Sequence, residues 1–124
     1  DLSEISGVLH SDLRARWERG EPAVVNAMRE LADLVVEGRE CLLAGNHRRF
    51  GELMNRNFDI RASICKLDPR NVQMVELARS LGLPATYAGS GGSIVGICAD
   101  EATFAELRKG FQKLNCHVFR PRVT

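Results

Sequence analysis

Apolar residues recur at helical spacing through the first two thirds of the chain, and the pattern shortens to strand-like runs only near its end. "SDLRARWERG" predicts a charged helix that closes at Gly20, a natural glycine stop. "PAVVNAMRELADLVVEGRECLLAG" opens on Pro22, whose fixed φ suits a first helical turn, and runs to Gly45. Its Val24, Met28, Leu31, Val35 and Leu42 fall on one predicted face. "NHRRFGELMNRNFDIRASIC" follows, with Asn46 as N-cap and an apolar side of Phe50, Leu53, Met54, Phe58, Ile64 and Cys65. "LDPRNVQMVELARSLG" is the best punctuated helix. Asp68 caps it, Pro69 opens it, Met74, Val75, Ala78 and Leu81 form its stripe, and Gly82 stands past its end.

From residue 83 the period changes. "ATYA" and "SIVGIC" read as short strands on either side of a glycine cluster. "DEATFAELRKGFQKLN" is a helix capped by Asp100, with Phe104, Leu107, Phe111 and Leu114 at helical spacing. "CHVFRPRV" reads as a last strand, which Pro121 places at an edge or ends. The single domain 1–124 thus divides into a helical part, 1–67, and a helix–strand–strand–helix–strand part, 68–124. One more strand in front would complete βαββαβ, the ferredoxin-like unit. That strand is expected before residue 1 or in "ISGVLH". The predicted class is α+β, a helix-rich first half packed on a small antiparallel sheet.

Composition changes this picture little. Hydrophobic residues at 44% and charged residues at 27% are ordinary for a soluble domain. A net charge of +1 lacks the basic excess of a dedicated nucleic-acid or membrane-surface binder, so neither partner is expected. No apolar run reaches membrane-spanning length, and "DLSEISGVLH" has no signal-peptide pattern. A first residue of Asp rather than Met is expected of a fragment or processed piece. Cys41, Cys65, Cys98 and Cys116 are scattered within or beside apolar runs, without a C-x-x-C pair. They are expected to be reduced thiols of a cytoplasmic protein, with neither a disulfide framework nor a metal site.

The glycines of "ATYAGSGGSIVGIC" raise the functional question, because glycine costs order wherever it sits. "GSGGSIVG" is no Walker loop, since no Lys-Ser/Thr follows, and it leads into a strand where a dinucleotide loop opens a helix. Two readings stay open: a concave nest of main-chain amides that binds an anion, or a tight hairpin without ligand.

"YAGSGGSIVG", following a helix that ends "ARSLGL", resembles the third glycine-rich motif of the GHMP small-molecule kinases. "GVLHSDLRARW", "LMNRNFDIRASI" and "LDPRNVQMVELARSLG" together resemble the glucuronokinase branch of that superfamily. The resemblance implies the ferredoxin-like C-terminal domain of a sugar kinase, one that transfers the ATP γ-phosphoryl group to a sugar hydroxyl. The acceptor it implies is the anomeric position of glucuronic acid. It also implies a partner, the N-terminal domain of the same protein. That domain would carry the main ATP loop, most of the contacts to ATP and Mg2+, and the catalytic carboxylate. No P-x-x-x-G-L-S-S-type loop occurs in these 124 residues, so alone they are expected to be inactive.

Gly89, Ser90, Gly91 and Gly92 match the family's loop, and the resemblance turns their amides toward bound phosphates or the acceptor. Family members often have Lys and then Thr ahead of the first glycine; here Thr86 and Ala88 stand there, so that strand supplies no ammonium. The family's third-helix equivalent borders the substrate pocket. Asn55 and Asp59, four apart on one face, are candidates to bond sugar hydroxyls, and Arg56 or Arg61 to meet a sugar carboxylate as a planar fork. A solvated helix face with local pairs is the competing reading. His10 in "SGVLHS" is a further substrate candidate, read against a capping or surface role. Trp17 reads as an anchor for the helical layer or a domain interface, and Arg120 and Arg122 as solvated. A free-standing ferredoxin-like module that binds a small ligand or partner without chemistry is the alternative function.

Overall fold

The computed structural model describes residues 2–122 and 124. Among these the order is α1 (Leu2–Glu18), α2 (Pro22–Ala44), α3 (His47–Ile64), α4 (Pro69–Ser80), β1 (Ala85–Tyr87), β2 (Ile94–Gly96) and α5 (Glu101–Lys113). The helix punctuation follows local chemistry. Asn46 accepts the Arg49 N–H at 3.1 Å, Asp68 the Arg70 N–H at 2.8 Å, and Asp100 the Thr103 N–H at 2.7 Å. Each satisfies an orphan donor of a first turn. Gly20, Gly45 and Gly82 stop α1, α2 and α4 at positive φ.

β1 and β2 pair antiparallel, with Ala85 opposite Gly96, Thr86 opposite Val95 and Tyr87 opposite Ile94. The class is α+β, as expected, with two strands of the four that a complete βαββαβ unit holds. "ISGVLH" is not the missing strand but lies within α1, because Leu9 and Leu13, four apart, carry the helical period back through it. "CHVFRPRV" forms no strand over 116–122 either. Arg120 holds that segment to α5, bonding Glu101 at 2.5 Å with its guanidinium 4.4 Å from the centre of the Phe104 ring, and so is not simply solvated.

The buried positions of α2 also differ from the predicted face. Val24, Ala27, Gly38 and Cys41 are buried and Leu31 and Leu34 partly so, whereas Val35 is 70% and Leu42 55% exposed. Steps of three and four alternate along 24, 27, 31, 34, 38 and 41, a seven-residue repeat. A stripe with that repeat drifts around a 3.6-residue helix, as in coiled coils, and leaves Val35 and Leu42 on its outer flank.

α3 is the central element, with a core on each side. Toward α2, Ile60 and Ile64 pack with Val24 and Ala27. Toward the hairpin, Phe58 packs with Val75, Ala78, Ala85 and Tyr87. Burial on two sides explains why Ile60 and Gly51, absent from the predicted apolar side, are inside. At Gly51 a Cβ would stand 2.6 Å from the Pro84 ring, so the absence of a side chain lets the entry to β1 lie against α3.

Candidate active-site loop

Residues 88–93 cross from β1 to β2. The turn closes with the Ala88 N–H donating to the Ser93 carbonyl at 3.1 Å. Gly91 (φ +147°) and Gly92 (φ +80°) occupy backbone conformations that side chains rarely adopt. Gly89, Ser90 and Gly92 are exposed and Gly91 is half-buried, so the predicted exposed connection between two antiparallel strands is in place.

Two helices hold this loop. From α3, Arg61 Nη2 donates to the Gly89 carbonyl at 2.5 Å, and the same guanidinium lies 5.4 Å from the centre of the Tyr87 ring. From α4, Asn71 Oδ1 accepts the Gly92 N–H at 3.2 Å. Among the described residues the amides of Gly89, Ser90 and Gly91 donate no internal bond. Three unpaired amides and a guanidinium make an electropositive set, a chemistry suited to an anion. No three His, Cys, Asp or Glu stand together to hold a metal ion among the described residues.

Tyr87 forms the floor. It is 5% exposed and meets Phe58 edge to face, with centroids 5.4 Å apart. Its hydroxyl is buried without a hydrogen-bond partner. Burial pushes the phenol's pKa up and the nearby Asp68 carboxylate adds to this, while Arg61 and the Asn71 amide pull it back.

The polar run of α3 separates by direction. Asn55 Oδ1 accepts the Ala85 N–H at 3.1 Å, and Asn57 Oδ1 accepts the Thr86 hydroxyl at 2.8 Å. Both residues secure β1 to α3, and the Thr86 hydroxyl is turned to that bond. Asp59 is paired with Arg79 at 2.8 Å, and Arg79 also bonds the Asn55 carbonyl. Arg56 reaches the other way, to Glu30 of α2 at 2.6 Å. His10 is exposed on α1, which packs against α2. Of the polar candidates, Arg61 alone bonds the glycine loop. Asn71 and Tyr87 escaped the sequence reading. Their signals, an Asn in a first helical turn and a Tyr in a strand, are common and carry meaning only beside the loop.

The profile of the family described as "GHMP kinases C terminal" matches residues 39–115, a span that includes α3, α4, the whole hairpin and α5. The chain belongs to the GHMP kinases, as their C-terminal domain. Two curated relatives from Arabidopsis thaliana agree. "Probable glucuronokinase 2" is 43% identical over 99 residues, which is 77% of this chain and 27% of that protein. "Glucuronokinase 1" is 41% identical over 99 residues, with the same shares. The chain thus spans about a quarter of the length of these relatives. No solved structure matches it. The GHMP match spans the loop, both tethers and the Tyr87 floor.

Proposed function

We propose that this chain is the substrate-side domain of an ATP-dependent sugar kinase that phosphorylates the anomeric hydroxyl of glucuronic acid. The observation that carries the reading is the pairing of Arg61 with the loop's unpaired amides at one place on the surface. Fixed donors stabilise a phosphoryl group in transfer, since its charge spreads over its peripheral oxygens. A guanidinium beside them suits a substrate that brings its own carboxylate. Arg61 gives one of its five N–H donors to Gly89 and keeps a fork for an acceptor anion. The identity to two plant glucuronokinases supports the choice of a uronic acid over a neutral sugar.

Kinases of this family use ATP. The main ATP loop, the Mg2+ ligands and the catalytic carboxylate are assigned to the remaining length of the intact protein, its N-terminal domain. The outer face of α2, with Val35, Val36, Leu42 and Leu43 exposed, is the apolar surface this chain offers to that partner. Four unpaired cysteines support a reducing, cytoplasmic setting, and no described helix is long and apolar enough to cross a membrane.

ADP release by the intact protein, measured with glucuronate, galactose and mevalonate in turn, tests the reading. Turnover with glucuronate, and a rise of at least tenfold in its KM for Arg61→Ala, is expected of a lost charge-assisted contact of about 1.5 kcal/mol or more. Turnover only with mevalonate or galactose would overturn the uronate assignment. Sustained phosphorylation by the 124 residues alone would overturn the division of labour.

A further inference from the structure

The glycine loop is held by two side chains with different reach. Arg61 takes a carbonyl at the loop's near end, Gly89, and is half-exposed on α3. Asn71 acts at the far end, where the backbone is least ordinary. Its Oδ1 accepts the Gly92 N–H at 3.2 Å, and its Nδ2 lies 2.9 Å from where a Cβ of Gly91 would be. The side chain therefore serves two consecutive glycines at positive φ, bonding the N–H of Gly92 and standing where a side chain on Gly91 would have to go. Asn71 is itself fixed. Its N–H donates to the Asp68 carbonyl at 3.0 Å within the capped first turn of α4. Beneath it lies the buried, unpartnered Tyr87 hydroxyl. An apolar residue at 71 would leave both that hydroxyl and the Gly92 N–H without a polar neighbour on this side.

We propose that Asn71 is the positioning residue of the glycine loop, a latch from α4 that holds Gly91 and Gly92 so that the amides of Gly89, Ser90 and Gly91 stay free and aligned for an anion. The latch is a property of this chain. Its consequence for turnover rests on the kinase reading above. Asn71 touches no reacting atom and works through the main chain of Gly91 and Gly92. An acceptor at this site is sufficient for the Gly92 bond, so Asp can replace Asn in holding the loop. Ala and Gln cannot: the first lacks the acceptor and the second displaces it by one methylene.

Amide exchange of Gly92, read by NMR on this chain, tests the latch directly. Asn71→Ala is expected to speed exchange at Gly92 by about tenfold or more while helical circular dichroism is unchanged, and Asn71→Asp to restore protection. Should Asn71→Ala unfold the chain, Asn71→Gln against Asn71→Asp makes the same comparison, with Gln fast and Asp protected. Unchanged Gly92 exchange in Ala or Gln, or equally fast exchange in Asp, would overturn the proposal. In the intact protein, Asn71→Ala is expected to lower kcat by about tenfold to a hundredfold with the KM for ATP held within about twofold. Fast Gly92 exchange with normal kcat would also overturn it. An intact protein that phosphorylates no sugar would overturn the functional reading and leave the exchange result standing.

Discussion

The two sides of α3 use polar side chains to opposite ends. Toward the hairpin, Asn55, Asn57 and Arg61 bond the Ala85 amide, the Thr86 hydroxyl and the Gly89 carbonyl, three residues of one short segment. Toward α2, Arg49 and Arg56 bond Glu37 and Glu30 across an exposed seam. On the first side each partner is main chain or a side chain fixed by the sheet, so losing one bond frees a strand. On the second, both partners are long, solvated side chains that water replaces at little cost. A polar run on a helix is therefore read by what faces it, since Arg56 and Arg61 are the same residue type and serve different ends.

The comparison breaks most easily at the end of the hairpin side. Gly91→Val in the intact protein is expected to lower turnover by about a hundredfold or more, the effect of losing one aligned donor to developing charge. A side chain at φ +147° is strained, and its Cβ would stand 2.9 Å from Asn71 Nδ2. Steady-state kinetics beside circular dichroism checks this, and Ser90→Ala should be much milder because the main chain does the binding. A folded Gly91→Val protein with parental turnover would reduce the loop to a plain hairpin.

Asn55→Ala is the next largest. It leaves the amide of Ala85, which is wholly buried, without its acceptor, and is expected to cost about 1 to 3 kcal/mol in urea unfolding. Gly51→Ala sharpens the same side, since a methyl there must move the Pro84 ring, at a cost of about 1 to 3 kcal/mol. Arg56→Ala, on the other side, is expected to change stability by about 1 kcal/mol at most, and less in high salt. If Arg56→Ala proved as damaging as Asn55→Ala, the contrast between the two sides would be lost.

The smallest effect concerns α5. Hydrogen bonds from the Thr103 amide, then its hydroxyl, and from the Ala102 amide hold the Asp100 carboxyl below its ordinary value of 3.8. Because the folded value is the lower one, the stabilisation is complete above pH 3.8 and is lost as pH falls through the folded value. Asp100→Asn, which keeps the capping oxygen but not the charge, should flatten that part of the acid unfolding curve. An identical acid profile for both proteins would remove the cap from the acid response.

The order of the helices and most of their ends were legible in the sequence because caps and stops are local, but the start of α1 was not, since "ISGVLH" stood as a candidate strand. Asn46, Asp68 and Asp100 each bond an amide two or three residues on, and the glycine stops need only their own φ. The hairpin was legible for the same reason, as two apolar runs around glycines. The inward face of α2 was not, because its seven-residue repeat is defined only against the partner helix it winds past. Nor was the state of 116–122, where a side-chain bond to Glu101 holds the segment to α5 instead of a sheet edge. The division among Asn55, Arg56, Asp59 and Arg61 likewise came only from packing, since residues a few positions apart on a helix buried on both sides face different neighbours. Asn71 marks the limit most plainly. It lies 21 positions before the amide it holds, and nothing local in "DPRN" distinguishes it from any polar residue of a first turn until the hairpin folds back against α4.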